Sequence, residues 1–140
     1  MFDNVNWNEF INTVLSYIKK SWKYLVIKAD VTKSSYTAKF YYSNDGKEFI
    51  DLYNEIDGSE KSDVFDSTIP YLEKITEKFE NRNERLFFTV KANSNGDVKV
   101  HFRKIADGSK LPFDESTNYL RLSENDINIK WYKGIVFKGE

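Results

Sequence analysis

The chain contains no cysteine, which removes disulfides, thiolate nucleophiles and cysteine-rich metal sites together. It contains a single histidine, His101, set between Val100 and Phe102 and flanked by Lys99 and Arg103. A lone histidine in that setting reads as a surface strand residue, and no histidine-based metal set can be built around it. The glycines Gly46, Gly58, Gly96, Gly108, Gly134 and Gly139 stand singly and never form a phosphate-cradling loop. Ser34-Ser35 and Ser67-Thr68 have no partnered base nearby in sequence, and the neighbouring carboxylates Asp63 with Asp66, or Glu124 with Asp126, are explained by helix caps and solvated faces. The expectation is a protein without catalysis and without a cofactor or metal. No apolar run approaches the length of a membrane span, and Met1-Phe2-Asp3-Asn4-Val5 does not begin a basic-then-apolar leader. With no Asn-x-Ser/Thr acceptor either, a cytoplasmic protein with no membrane partner is expected.

What is present is a globular mixture: 140 residues, 40% hydrophobic, 16% aromatic and 31% charged. That length suits one domain over 1–140 with an aromatic core, and no repeat, low-complexity tract or Pro/Gly/Ser linker divides it. A net charge of −1 supplies no global field toward nucleic acid or an anionic membrane, so any electrostatic partner has to be met locally.

Trp7, Phe10, Ile11, Val14, Leu15 and Ile18 recur at helical spacing, with Asn6 and Glu9 resembling a capping box, so a helix is expected to run to Lys19-Lys20-Ser21. The period then changes to two. Leu25, Ile27, Ala29 and Val31 alternate with Trp22, Tyr24 and Val26, both faces apolar, which predicts a central strand. Residues 36–42 form a tyrosine-rich strand, Asn44-Asp45-Gly46-Lys47 a turn, and 48–53 a third strand, completing a meander. A second helix carries Phe65, Ile69, Leu72, Ile75 and Phe79; Pro70 is harmless if Asp66 caps it and kinks it if it starts at Ser62 or Asp63. Residues 85–92 and 97–105, joined through Asn95-Gly96, predict a second hairpin. Residues 126–137 fit two templates: Ile127, Ile129 and Trp131 alternate like a strand, whereas Ser123, Asp126, Lys130, Lys133 and Gly134 mark a helix. The reading is an α+β fold, an antiparallel sheet of about five strands in the order α-β-β-β-α-β-β-α with helices on one face.

Charge divides along the chain. Glu48, Asp51, Glu55, Asp57, Glu60, Asp63 and Asp66 face Lys61 alone, while the second hairpin region carries Arg82, Arg85, Lys91, Lys99, Arg103 and Lys104. The acidic stretch reads either as a solvated loop and helix N-terminus or as a docking surface for a basic partner. Tyr36, Phe40, Tyr41, Tyr42, Phe49 and Tyr53 read as core and cross-strand packing, or as stacking surfaces for bases. Only Lys39 and Lys47 interleave with them, so direct nucleic-acid binding is not expected.

The succession of an N-terminal helix, Trp22 with its strand, Phe40-Tyr41-Tyr42, an acidic loop into Val64-Phe65-Asp66, a long helix, and Phe87-Phe88-Thr89-Val90 to Asn95-Gly96-Asp97-Val98-Lys99-Val100-His101-Phe102, closing on Trp131-Tyr132-Lys133-Gly134-Ile135, resembles the YezG-like antitoxin and immunity proteins. The resemblance implies a cytoplasmic α+β domain that binds a cognate bacterial toxin domain, often a nuclease, and neutralises it by occluding its active site. For such a partner, the acidic stretch and the aromatics beside it make Asp51, Glu55, Asp57, Glu60 and Asp63 the candidate contacts, with Tyr41 and Tyr53 as aromatic anchors. The chain departs from that family at Phe102-Arg103-Lys104, where a tyrosine followed by acidic residues is expected. A non-catalytic interaction adaptor and a single-stranded nucleic-acid binder using the aromatic sheet are the alternatives.

Overall fold

The computed structural model describes residues 2–127 and 130–139. In chain order its elements are α1 (Trp7–Leu15), β1 (Tyr24–Thr32), β2 (Tyr36–Ser43), β3 (Ile50–Asp51), α2 (Gly58–Thr76), β4 (Arg85–Asn93), β5 (Val98–Ile105), α3 (Glu115–Leu120), α4 (Glu124–Ile127) and β6 (Ile135–Gly139). The strands form one sheet in the order β3-β2-β1-β4-β5-β6. β1 is central as its two apolar faces predict, paired antiparallel to both β2 and β4, and every residue from Leu25 to Val31 is buried. The second hairpin forms with Ala92 opposite Val98, and Gly96 takes the positive φ of 88° that its turn requires.

The meander forms too, but its third strand is only two residues long. The side chain of Asp45 explains this: its carboxylate accepts from the Lys47 and Glu48 backbone N–H groups at 2.8 and 2.9 Å, turning them away from a ladder. The helix α1 also ends earlier than its apolar pattern suggests. Asn6 caps it, accepting from the Glu9 N–H at 3.0 Å, but Thr13 and Ser16 hydroxyls donate back to the Glu9 and Thr13 carbonyls, and the chain tightens into two three-residue turns through Ile18.

Helices α1 and α2 cover one face of the sheet and close the core. Trp7, Phe10 and Val14 from α1 and Val64, Leu72 and Ile75 from α2 pack on Leu25, Ile27, Phe40, Phe88, Val90 and Val100. Phe10 stacks on Tyr71 at 5.1 Å, and Trp7 meets Phe88 edge-on at 6.2 Å. Each such side chain contributes about 1.5–3 kcal/mol by burial. The buried stripe of α2 is Val64, Thr68, Leu72 and Ile75, while Phe65 and Ile69 sit half-buried at its margin.

Two features lie outside the expected plan. The sheet has a sixth strand, and β6 runs parallel to β5 with Val98 opposite Ile135. Residues 126–137 are thus neither one helix nor one strand: a short helix ends at Ile127, residues 128 and 129 (and with them Ile129 of the expected alternation) lie outside the described residues, and a strand begins at Ile135. A parallel neighbour requires a crossover. Here the crossover carries α3 and α4 over the sheet face that the two long helices leave open.

Helix α2 begins at Gly58, capped by Asp57, earlier than either start considered from sequence, so Pro70 lies in its interior. The proline removes the N–H that would pair with the Asp66 carbonyl. In the turns before it, Ser67 and Thr68 hydroxyls donate to the Asp63 and Phe65 carbonyls at 2.7 and 2.6 Å. Because Pro70 is exposed, replacing it removes no core contact. Pro70→Ala is therefore expected to raise stability by about 1–3 kcal/mol, read as a higher urea midpoint at unchanged slope.

Candidate functional site

Strand pleat and register decide which side chains share the second face. Lys28 lies opposite Thr89, Thr89 opposite His101, Lys91 opposite Lys99, and His101 opposite Lys138, so these residues from β1, β4, β5 and β6 form one polar field. The crossover lands on part of it. Tyr119 of α3 stacks on Phe87 at 4.8 Å, its hydroxyl lies 2.8 Å from that of Thr89, and the Lys28 ammonium sits 4.6 Å from its ring centroid. Tyr41 donates to the Leu120 carbonyl at 2.7 Å. Ser116 and Arg85 both donate to the buried Asp30 carboxylate, and the guanidinium's own pKa is raised by that hydrogen bond.

The central contact is Asp126. Its carboxylate accepts from the Lys28 ammonium at 2.6 Å and from the Ser123 N–H and hydroxyl at 2.9 and 3.0 Å, with the Lys91 ammonium 3.9 Å away. Lys91 in turn donates to the Asn125 carbonyl at 2.9 Å. All three charged side chains are at least nine-tenths buried. Burial depresses the Lys91 pKa, with Lys99 and Lys28 pushing the same way and Asp126 opposing.

Between the crossover and β5–β6 a groove of about 650 Å³ remains. Six cationic side chains line it, Lys28, Lys91, Lys99, Arg121, Lys130 and Lys138, against two carboxylates, Glu115 and Asp126. Both carboxylates are already engaged, Glu115 by Arg103 at 2.8 Å and Asp126 by the two lysines. His101 also lines the groove. Burial, then Lys91, Lys99 and Lys138, pull its pKa down to about 4, and its Nε2 is buried with no hydrogen-bond partner among the described residues. Beside the groove stands Tyr132, half-exposed, with the Lys99 and Lys130 ammoniums 5.8 and 5.9 Å from its ring centroid. No group of three or more His, Cys, Asp or Glu side chains able to hold a metal occurs among the described residues. The arrangement can attract an anion, orient it and surround it with uncharged donors and acceptors.

The residues singled out from sequence are split between places. Tyr41 and Asp51 face the crossover side, Asp51 held by Lys39 at 2.6 Å and accepting the Tyr53 N–H at 3.0 Å. Tyr53 packs edge-on against Phe40 at 5.7 Å and donates to the Ala38 carbonyl at 3.3 Å, so the two tyrosines do not form one anchor surface. Burial pushes both phenols up to about 12. Glu55, Asp57 and Glu60 do cluster, at the junction into α2. Glu55 accepts from the Tyr42 hydroxyl and pairs with Lys20 at 3.0 Å, and the Tyr42 bond leads in holding its carboxyl below the usual range. Asp57 caps the helix by accepting the Glu60 N–H at 3.0 Å, and Glu60 meets Lys19 at 3.2 Å. Asp63 is exposed on the helix. Much of this acidic rim is thus occupied by cap geometry and by lysines of the chain itself.

The groove was hidden in sequence because its cations lie far apart along the chain, and it takes the β1–β4, β4–β5 and β5–β6 registers and the crossover to bring them together. The one available signal was the run of Lys99, His101 and Arg103 at strand period two, a polar face opposite Val98, Val100 and Phe102.

Two outcomes test this geometry. Asp126→Ala leaves two lysines buried without their counter-ion and is expected to cost about 3–5 kcal/mol in urea unfolding, whereas Asp126→Leu combined with Lys28→Met and Lys91→Met recovers most of the loss. For His101, the unfolded chain takes up a proton below its ordinary pKa of 6.5 while the folded chain refuses it until about pH 4. The unfolded state binds more protons across that window, so the contribution of His101 to stability falls as pH drops from 6.5 to 4. Melts of wild type and His101→Gln over this range are expected to show the variant gaining on wild type as the pH falls.

No protein-family model matches this chain, and a search of curated proteins finds no match.

Proposed function

We propose that this domain works by binding, without a reaction of its own, and that its working surface is the basic groove between the crossover and β5–β6. The observation that carries this is the convergence of six cations on one groove in a chain of net charge −1. Like charges held this close repel one another, and the depressed pKa values of Lys91 and His101 register that repulsion alongside burial. An anionic partner relieves the repulsion and is drawn in by the field.

The resemblance to YezG-like antitoxin and immunity proteins gives such binding a purpose: neutralising a cognate toxin domain, a nuclease being the kind of partner, in the cytoplasm, by covering its active site. The clustering of Glu55, Asp57 and Glu60 at one helix junction favours a second contact surface there for a toxin's basic groups, with Lys19 and Lys20 displaced on docking. An adaptor with the same surfaces would lack a toxin encoded beside it.

Charge reversal separates the two surfaces. Lys99→Glu with Lys138→Glu is expected to weaken retention on heparin, used as a generic polyanion, by at least tenfold and to flatten its salt dependence by about two ions. Glu55→Lys, Asp57→Lys and Glu60→Lys together are expected to leave heparin binding intact while weakening association with the toxin encoded by the adjacent gene. Wild-type heparin retention by the lysine double variant overturns the groove reading, and undiminished toxin affinity in the triple variant removes the acidic rim from the mechanism.

A further inference from the structure

We infer that the ligand of the basic groove is a nucleoside phosphate, either a free nucleotide or the end of a single strand, its phosphate held among Lys91, Lys99 and Lys138 and its base laid on the ring of Tyr132. The inference rests on the groove being the binding surface and names the chemistry that fits it.

The groove has the size of a small-ligand site, about 650 Å³ and concave. Its charge suits phosphate: the lysine ammoniums are compact point charges on flexible stems, able to converge on oxygens from several sides. Sites for single strands pair such cations with a ring on which a base can stack, and Tyr132 supplies that ring at the groove's edge. The Lys99 and Lys130 ammoniums approach it only at 5.8 and 5.9 Å, near the outer limit of a cation–π contact. A phosphate competes for both and frees the ring face for the base.

The uncharged lining suits a nucleobase edge better than the side chains of an acidic peptide. His101 is neutral at physiological pH, so its ring offers one donor and one acceptor, and its Nε2 has no partner among the described residues. Asn118 and Asn125 add amide groups to the same wall. A carboxylate brings only acceptors, whereas a nucleobase edge brings donors and acceptors together.

Titration of the whole chain at low salt with ADP, pyrophosphate, a short oligothymidylate and oligoglutamate tests the inference. ADP and the oligothymidylate are expected to bind about tenfold more tightly than pyrophosphate, the margin of one stacked base. Tyr132→Ala erases that margin with pyrophosphate affinity unchanged, and Tyr132→Phe retains it. Lys99→Glu with Lys138→Glu abolishes binding of all the phosphates. These positions are exposed or half-exposed, so thermal melts confirm that the variants are folded. If pyrophosphate or oligoglutamate binds as tightly as ADP and Tyr132→Ala changes nothing, the nucleoside assignment fails while the anion groove stands. If none of the four binds, the groove reading fails with it.

Discussion

One buried carboxylate determines where the last third of the chain lies. Lys28 sits in the middle of the central strand with its ammonium on the face that α1 and α2 do not cover, and a cation buried there costs several kcal/mol unless it is paired. Asp126 provides the pair, and Ser123 completes the carboxylate's hydrogen bonds from the same turn. Since Lys28 belongs to β1, paired along its length with both β2 and β4, the crossover is fixed to the middle of the sheet. The wall of the groove follows from that attachment: with α4 held over Lys28 and Lys91, Arg121, Asn125 and Lys130 stand along one side of it.

The two faces of the sheet follow different physical rules. On the α1–α2 face, apolar residues at period two meet apolar helix stripes and the result is ordinary hydrophobic closure. On the other, Lys28, Asp30, Thr89 and Lys91 are buried polar groups, and each is tied to a hydrogen-bonding or ionic partner in the crossover. Burial of that kind adds little net stability but tolerates few arrangements, because every displaced partner leaves a polar group desolvated. The apolar face supplies stability; the polar face specifies the position of α3 and α4.

Legibility in the sequence tracks the range of the interactions. The capping of α1 by Asn6, the central place of β1 and the turn at Asn95-Gly96 rest on neighbours within a few residues, and all could be read directly. The early end of α1 and the brief β3 turned on side-chain hydroxyl and carboxylate bonds to the backbone, which compete with regular structure without altering hydrophobic period. The parallel placement of β6 could not be read, since its pairing partner lies more than thirty residues away and its direction against β5 is set by the crossover and not by any local pattern. The same distance hid the groove: no window of sequence contains Lys28, Lys91, Lys99 and Lys138 together.

The net charge of −1 conceals a strong internal division. At the acidic rim, Glu55, Glu60 and Asp51 are matched by Lys20, Lys19 and Lys39, so three of the seven carboxylates in a stretch that looks highly negative in sequence are compensated in space. At the groove the ratio runs the other way, because one carboxylate, Asp126, serves two lysines and Glu115 is drawn off by Arg103. Lys99, Lys130 and Lys138 therefore act on the solvent with little opposition. A field concentrated in one recess of a chain whose remaining charge is net negative both attracts an anion and orients it before contact, which a uniformly basic protein could not do.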